Sequence, residues 1–160
     1  MTTINKAMMQ QDIKNNSLHF DNNFADRISY ELKRAERYRY FVSLIVLNIG
    51  PILDLGGNGA LKEEKDRTRF IIELNKILDS TVREVDSISN HQRTRIGLLL
   101  PETSRQGAES AARRITSTLY DFCNSYFGKP ADYLMPVEIS SFPDAAGVRS
   151  VASYLDEFKN

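Results

Sequence analysis

Two short segments near the middle of the chain contain the residue types best suited to bind an anionic or planar ligand. Arg83 and Asp86 lie three positions apart, and the pentapeptide Gln92-Arg93-Thr94-Arg95-Ile96 follows after five intervening residues. A guanidinium group binds phosphate through paired hydrogen bonds and stacks on planar rings, and a carboxylate accepts hydrogen bonds from ring nitrogens. The pentapeptide offers no carboxylate for a divalent cation, so its chemistry is that of arginine.

These two segments belong to a predicted β-hairpin. Residues 87–90 read as a short strand, a polar stretch follows, and residues 95–100 end in an apolar run. A polar turn between a short strand and an apolar run is typical of a hairpin. The Arg-x-x-Asp pair therefore precedes the first strand, and the pentapeptide spans the turn and the start of the second strand.

The apolar pattern predicts the elements that position this hairpin. Residues from Phe24 to Tyr40 have helical spacing, and the nearly continuous apolar run Phe41–Ile49 predicts a central strand covered on both faces. Further helices are predicted at 62–85, from Thr103 or Ser104 onward and at 148–158, and further strands at 87–90, 95–100 and 134–142. This order predicts an α+β fold, an α/β sandwich in which helices flank one mixed central sheet.

The composition sets the domain organisation. A chain of 160 residues suits one domain, which we place at residues 24–160. Residues 1–23 are polar and rich in amides, so we expect a flexible tail or a weak helix there. Gly50-Pro51 predicts the end of the central strand, and Gly56-Gly57-Asn58-Gly59 predicts a flexible loop.

Charge and cysteine content exclude several classes of function. With 21 basic and 21 acidic residues, the chain has no net field to attract nucleic acid or an anionic membrane. Its longest apolar run, Phe41–Ile49, is much shorter than the roughly 20 residues that cross a bilayer. The single Cys123 cannot form an internal disulfide, and no Cys/His cluster predicts zinc. We therefore expect a cytoplasmic protein with neither nucleic acid nor membrane as a partner.

The spacing around the hairpin resembles the signature of the GGDEF family, the diguanylate cyclases. In that family an Arg-x-x-Asp lies five residues before Gly-Gly-Asp/Glu-Glu-Phe, and this frame is retained here without a gap. Weaker matches in the same order are Arg34-Ala35-Glu36-Arg37-Tyr38, Leu44–Ile49, Leu99–Thr103, Gly107-Ala108, Ala112–Ile115 and Ile139–Asp144. The resemblance implies a GGDEF-like, nucleotide-cyclase-like fold.

The same resemblance implies that cyclase chemistry is lost. The five signature positions fall on Gln92, Arg93, Thr94, Arg95 and Ile96, and only the apolar last position is retained. The family's metal-binding carboxylates fall on Asn48, which has no charge, and on Arg95, which would repel the cation. Such a reversal costs about 1 to 4 kcal/mol per pair of charges at surface-like screening. We therefore predict a degenerate domain that is not an enzyme and needs no metal or cofactor. A metal-free site in which Arg93 and Arg95 hold phosphates stays open.

The retained Arg-x-x-Asp has two interpretations. In active family members this motif binds cyclic di-GMP at an inhibitory site, which would make Arg83 and Asp86 ligands of the guanine base. The alternative is an exposed helix end at which Arg83 pairs with Glu84 or Asp79 on a solvated surface. The first interpretation predicts a catalytically inactive regulatory module that binds cyclic di-GMP and signals to another protein. The second predicts a protein-interaction scaffold that binds no nucleotide. A homodimer is open in both.

Overall fold

The computed structural model describes residues 19–55, 59–89, 94–130, 134–143 and 149–159. These residues form one five-stranded sheet flanked by helices, which confirms the predicted α+β sandwich. In chain order the elements are β1 (Phe20–Asp21), α1 (Phe24–Tyr38), β2 (Val42–Asn48), α2 (Gly50–Leu55), α3 (Glu64–Thr81), β3 (Ser87–Ser89), β4 (Arg95–Pro101), α4 (Arg105–Phe127), β5 (Val137–Phe142) and a 3-10 helix (Val151–Tyr154).

Strand β2 is an interior strand of the sheet, with a neighbour on each side. The strand order is β1-β3-β4-β2-β5, and β2 runs antiparallel to both of its neighbours, β4 and β5. Residues Val42 to Leu47 are all buried. A strand covered on both faces needs apolar residues at successive positions, which is why this run shows no polar alternation. The predicted central strand is confirmed.

Each face of the sheet has its own apolar core, because successive strand residues point to opposite faces. Ile45 and Leu47 pack on one face with α3 and α4, whereas Leu44 and Val46 pack on the other with α1 and the C-terminal segment. The first core includes Phe70, Leu74, Leu78, Ile115 and Leu119, and the second includes Phe24, Ile28, Tyr154 and Phe158. Each large apolar side chain that is fully buried contributes about 1.5 to 3 kcal/mol to stability.

Gly97 in β4 lets two aromatic rings lie directly on the sheet. A Cβ atom at this position would lie 2.7 Å from Cε2 of Phe24 and 2.8 Å from Cζ of Phe158. These two rings meet edge to face with their centroids 5.0 Å apart. The absence of a side chain at Gly97 thus fixes how closely α1 and the C-terminal segment approach the hairpin strand.

Three elements differ from the sequence-based expectations. Phe20–Asp21 forms β1 and pairs with β3, so residues 19–23 belong to the fold rather than to the predicted tail. Residues 1–18 of that tail lie outside the described part of the chain. A short helix, α2, begins at Gly50, where a strand stop followed by a loop was predicted. The predicted last helix contains a 3-10 turn over Val151–Tyr154 instead of an α-helix.

Helix α3 also ends earlier than predicted. It stops at Thr81 rather than near Val85. The backbone after it bends into a turn in which the Asp86 amide donates to the Arg83 carbonyl at 3.0 Å. The Arg-x-x-Asp pair therefore lies in a turn and not on the last turn of a helix.

Candidate functional site

The structure places Asn48 and Arg95 side by side. Asn48 is the last residue of β2, Arg95 is the first residue of β4, and the two are direct cross-strand partners. Such partners have Cβ atoms about 4.5 to 5.5 Å apart. The two positions to which the family resemblance assigned metal-binding carboxylates are thus neighbours on one face. Of the other signature positions, Thr94 and Ile96 are described, and Gln92 and Arg93 lie outside the described residues.

The Arg95 guanidinium is held by two carboxylates. Its Nε donates to Oε1 of Glu157 at 2.8 Å, and its Nη2 donates to Oε2 of Glu138. Glu138 comes from β5 and Glu157 from the C-terminal segment. Burial opposes the charged form, but the hydrogen bonds to the two carboxylates outweigh it and raise the pKa of Arg95. A permanent cation therefore lies at one of the two positions to which the resemblance assigns a metal-binding carboxylate.

The Asn48 side chain is hydrogen-bonded to the backbone at the start of α2. Its Oδ1 accepts a hydrogen bond from the Gly50 amide at 2.9 Å, at the first residue of α2. An oxygen at a helix start satisfies an amide that has no partner inside the helix. Within the described ranges, no group of three or more acidic, histidine or cysteine side chains is placed to hold a metal ion.

The Arg83-x-x-Asp86 turn closes on itself. Asp86 accepts from the Arg83 amide at 2.8 Å and from Nη2 of the same arginine at 3.0 Å. The Asp86 side chain is only 2% exposed, whereas that of Arg83 is 51% exposed. Arg83 thus pairs with Asp86. The solvated-surface interpretation, which paired Arg83 with Glu84 or Asp79, is wrong on this point. Asp79 instead contacts His19, with 2.6 Å between Oδ1 and Nδ1.

Arg83 is also tied to the junction between β4 and α4. Its Nη2 donates to the Pro101 carbonyl at 3.0 Å and to Oγ1 of Thr103 at 2.6 Å. The Thr103 carbonyl accepts from Oγ of Ser43 at 2.7 Å, and Ser43 shares a hydrogen bond with Ser141. A chain of hydrogen bonds therefore runs from the arginine to β2 and β5 in the sheet.

A surface cavity of about 410 Å³ opens beside this turn. It is lined by Arg83 and Asp86 together with Leu100, Glu102, Thr103, Ser104, Gly107, Ser110, Ala111, Arg114 and Ile115. The volume lies within the range of roughly 300 to 1,000 Å³ of small-molecule sites. Arg83, Arg114 and the first turn of α4 favour an anionic ligand, whereas the carboxylates of Asp86, which pairs with Arg83, and Glu102 oppose one.

Sequence reasoning missed several groups at these two places. Glu138 lies on β5 and Glu157 in the C-terminal segment, far along the chain from Arg95, and no short motif links them. Arg114 lies on α4, one turn beyond Ser110, lines the cavity and donates from Nη1 to the carbonyl of Thr81 at the end of α3. The one sequence feature that pointed to the cavity was the predicted N-cap at Ser104, which marks the first turn of α4. The Ser104 side chain accepts from the Gly107 amide at 3.2 Å.

Comparison with solved structures identifies the architecture. The GGDEF domain of YfiN, also called TpbB, from Pseudomonas aeruginosa matches with a TM-score of 0.60 and 15% identity, covering 88% of this chain and 79% of that one. The chain has the GGDEF fold. A diguanylate cyclase protein from Thermotoga maritima matches with a TM-score of 0.57 and 15% identity over 79% of this chain and 82% of that one.

A third structure with the GGDEF fold is the diguanylate cyclase SiaD from Pseudomonas aeruginosa, solved in complex with its activator SiaC. It matches with a TM-score of 0.63 and 16% identity over 84% of this chain. The chain spans half the length of SiaD. No protein-family model matches the sequence, and no curated protein matches it. No helix in the described part of the chain is long and apolar enough to cross a membrane.

At 15 to 16% sequence identity, similarity to these structures establishes the backbone fold alone. A shared fold does not establish a shared activity. Function depends on the side chains at two sites: the Arg95 ion pairs at the ends of β2 and β4, and the cavity beside Arg83.

Proposed function

We propose that this chain is a GGDEF-like regulatory module without diguanylate cyclase activity. The observation that carries the proposal is the Arg95 guanidinium, in register with Asn48 and bound to Glu138 and Glu157. A divalent cation at this place would face a fixed positive charge. Two unit charges of equal sign at about 4 Å repel by about 4 kcal/mol at an effective dielectric constant near 20.

The test is incubation of the protein with GTP and Mg²⁺, followed by chromatography of the products. The proposal expects no cyclic di-GMP above the level of a blank without protein, while an active diguanylate cyclase run in parallel gives product. Formation of cyclic di-GMP that scales with protein concentration would overturn it.

We further propose that the cavity beside Arg83 binds cyclic di-GMP. The support is a half-exposed arginine held in place, a second arginine at position 114 and a volume suited to a small ligand. Since the Asp86 carboxylate is buried and accepts from Arg83, its role in this proposal is to orient the guanidinium. Only Arg83 of the pair would touch the ligand.

Calorimetric titration of cyclic di-GMP against the wild type and Arg83→Ala tests this second step. Saturable binding to the wild type that weakens at least about tenfold in the variant, a loss of about 1.4 kcal/mol, supports it. Equal affinity in both proteins, or absence of binding to the wild type, would remove the receptor role.

The alternative function is a protein-interaction scaffold that binds no nucleotide. Two observations favour it: the solved structure of SiaD contains an activator protein, and α1 of this chain exposes aromatic side chains. A complex with a partner protein that forms equally well with and without cyclic di-GMP would support the scaffold. In either role we place the chain in the cytoplasm, because Cys123 is buried and, as the single cysteine of the chain, can form no internal disulfide. A homodimer stays a prediction.

A further inference from the structure

The outer side of α1 and the turn after it carry an alternating row of guanidinium groups and aromatic rings. This row, here called the Arg-Tyr ladder, is formed by Arg27, Tyr30 and Arg34 of α1 and by Tyr40 just beyond it. The guanidinium carbons of Arg27 and Arg34 lie 5.8 and 5.7 Å from the centre of the Tyr30 ring. Arg34 also lies 5.7 Å from the centre of the Tyr40 ring. Each distance is within the roughly 6 Å over which a cation interacts with a ring face.

The buried carboxylate of Glu31 contacts three members of the Arg-Tyr ladder. The Glu31 side chain is 4% exposed and lies 3.8 Å from Nη1 of Arg27 and 3.3 Å from Nη1 of Arg34. It also accepts a hydrogen bond from the Tyr40 hydroxyl at 3.3 Å. The attraction of Glu31 raises the pKa of Arg34, and burial followed by the Glu31 charge raises that of Tyr40. The ladder is thus ordered before any partner arrives, which lowers the entropy lost on binding.

The ladder continues into an exposed aromatic patch. Tyr30, Tyr38 and Phe41 are 54%, 60% and 47% exposed, and the guanidinium of Arg37 lies 5.4 Å from the centre of the Tyr38 ring. The other large apolar side chains exposed in the described ranges are Val85, Tyr126 and Leu134. Half of these side chains are therefore concentrated along one helix and its end. Tyrosine and arginine are the residues that dominate binding energy at protein interfaces.

The charge of this surface sets the chemistry of its partner. Residues 26–39 contain five basic and three acidic residues, whereas the whole chain is neutral. One of the three acids, Glu31, is buried beneath the ladder. Arg27 has a further partner in Asp21, 3.5 Å away. With Asp21 included, five basic and four acidic residues leave an excess of one positive charge, which fits a few spaced carboxylates better than the continuous phosphates of nucleic acid.

We propose that the Arg-Tyr ladder, with Tyr38 and Phe41, is a docking surface for an acidic segment of a partner protein. The carboxylates of the partner would pair with the outer N–H groups of Arg27 and Arg34, and its apolar side chains would cover the exposed rings. This inference rests on the interaction with a partner protein that is proposed above, and not on an absence of nucleotide binding. It is independent of the cavity beside Arg83, which is formed by other elements.

The experiment uses the full chain and a fluorescein-labelled peptide of alternating glutamate and leucine, with fluorescence anisotropy as the readout. The expected result is saturable binding that weakens as salt is raised, and at least about tenfold weaker binding to Tyr30→Ala and to Arg27→Ala. Arg113→Ala, an exposed arginine of α4, is the matched control and should bind as the wild type does. Thermal melts followed by circular dichroism verify that each variant folds.

Three outcomes would overturn the inference. A matched peptide with lysine in place of glutamate that binds equally well would show that charge complementarity plays no part. Labelled polyuridine bound more tightly than the acidic peptide would make the surface a nucleic-acid site. Self-association of the wild type that Tyr30→Ala abolishes would make it an interface between copies of this chain.

Titration of Tyr30→Ala with cyclic di-GMP separates the two proposals. The affinity of this variant for cyclic di-GMP should equal that of the wild type if the cavity acts separately, so failure of the docking surface is distinguishable from failure of the receptor.

Discussion

A single arginine organises the site at the ends of β2 and β4. Arg95 is 30% exposed and binds two carboxylates that come from different parts of the chain. Removing the arginine from this cluster leaves the two carboxylates without their shared cation and facing each other, which costs more than the net contribution of the original ion pairs. The ion pairs of Arg95 are therefore expected to matter more for stability than the pairs on exposed helix faces.

The variant Arg95→Glu tests this expectation. It would place a third carboxylate beside Glu138 and Glu157, and we expect the free energy of unfolding to fall by about 2 to 4 kcal/mol. Urea denaturation measures the change, and added Mn²⁺ should recover part of the loss in this variant alone. Lys76→Glu, which breaks an exposed pair with Glu73, is the control and should cost less than about 1 kcal/mol. A loss no larger than that of the control would contradict the role of Arg95.

The variant Arg83→Lys tests whether the planar shape of the Arg83 side chain matters for ligand binding. Arg83→Lys keeps the charge but removes the planar fork that reaches Asp86, Pro101 and Thr103. We expect cyclic di-GMP to bind about tenfold more weakly, as measured by calorimetry. Arg113→Lys should leave the affinity unchanged. Full affinity in Arg83→Lys would mean that charge alone suffices and that the hydrogen-bonded geometry plays no part.

At the scale of elements, the two flanking segments of the second core meet over Gly97. Gly97→Ala would bring a methyl group within 2.7 Å of Phe24 and 2.8 Å of Phe158, so one ring or the strand must move. We expect a loss of about 1 to 3 kcal/mol in urea denaturation. Gly107→Ala, where the nearest side-chain atom is 3.1 Å away and alanine favours the helix, should cost less. An equal loss of unfolding free energy in the two variants would show that the rings of Phe24 and Phe158 can accommodate a methyl group at position 97.

The elements that could be predicted from the sequence are those long enough to show a period. The central strand, the second strand of the hairpin and the helices that include Phe70 and Ile115 all follow from apolar spacing. Strand β1 has two residues and α2 has six, which is too short for any period to appear. Pro51 was interpreted as a stop, yet proline is tolerated in the first turn of a helix, where its missing N–H has no partner to lose.

The candidate sites were predictable only in part, for a related reason. The adjacency of Asn48 and Arg95 follows from the register of two long strands. The closed Arg83-x-x-Asp86 turn needs only local contacts. Glu157 and Arg114 reach their places through tertiary packing, which no short motif encodes.

At the scale of the whole molecule, the C-terminal segment completes the fold. Tyr154 and Phe158 are buried in the second core, and Glu157 binds Arg95. Removing residues 149–160 should therefore cost about 3 to 6 kcal/mol from the two aromatic side chains alone. The predicted result in urea denaturation is a lower midpoint and exposure of the apolar face of α1, detectable as binding of a hydrophobic dye. A truncated chain as stable as the wild type would contradict the packing of this segment.

In the function proposed above, Arg95 replaces a metal-binding carboxylate, so the wild type is expected to bind no divalent cation beside Asn48. Titration of Mn²⁺ into the wild-type protein, followed by electron paramagnetic resonance, tests it most directly. We predict that the signal of the free ion persists throughout the titration. Saturable Mn²⁺ binding to the wild type that is lost in Glu138→Gln would contradict the claim, because it would show that the ion shares this place with Arg95.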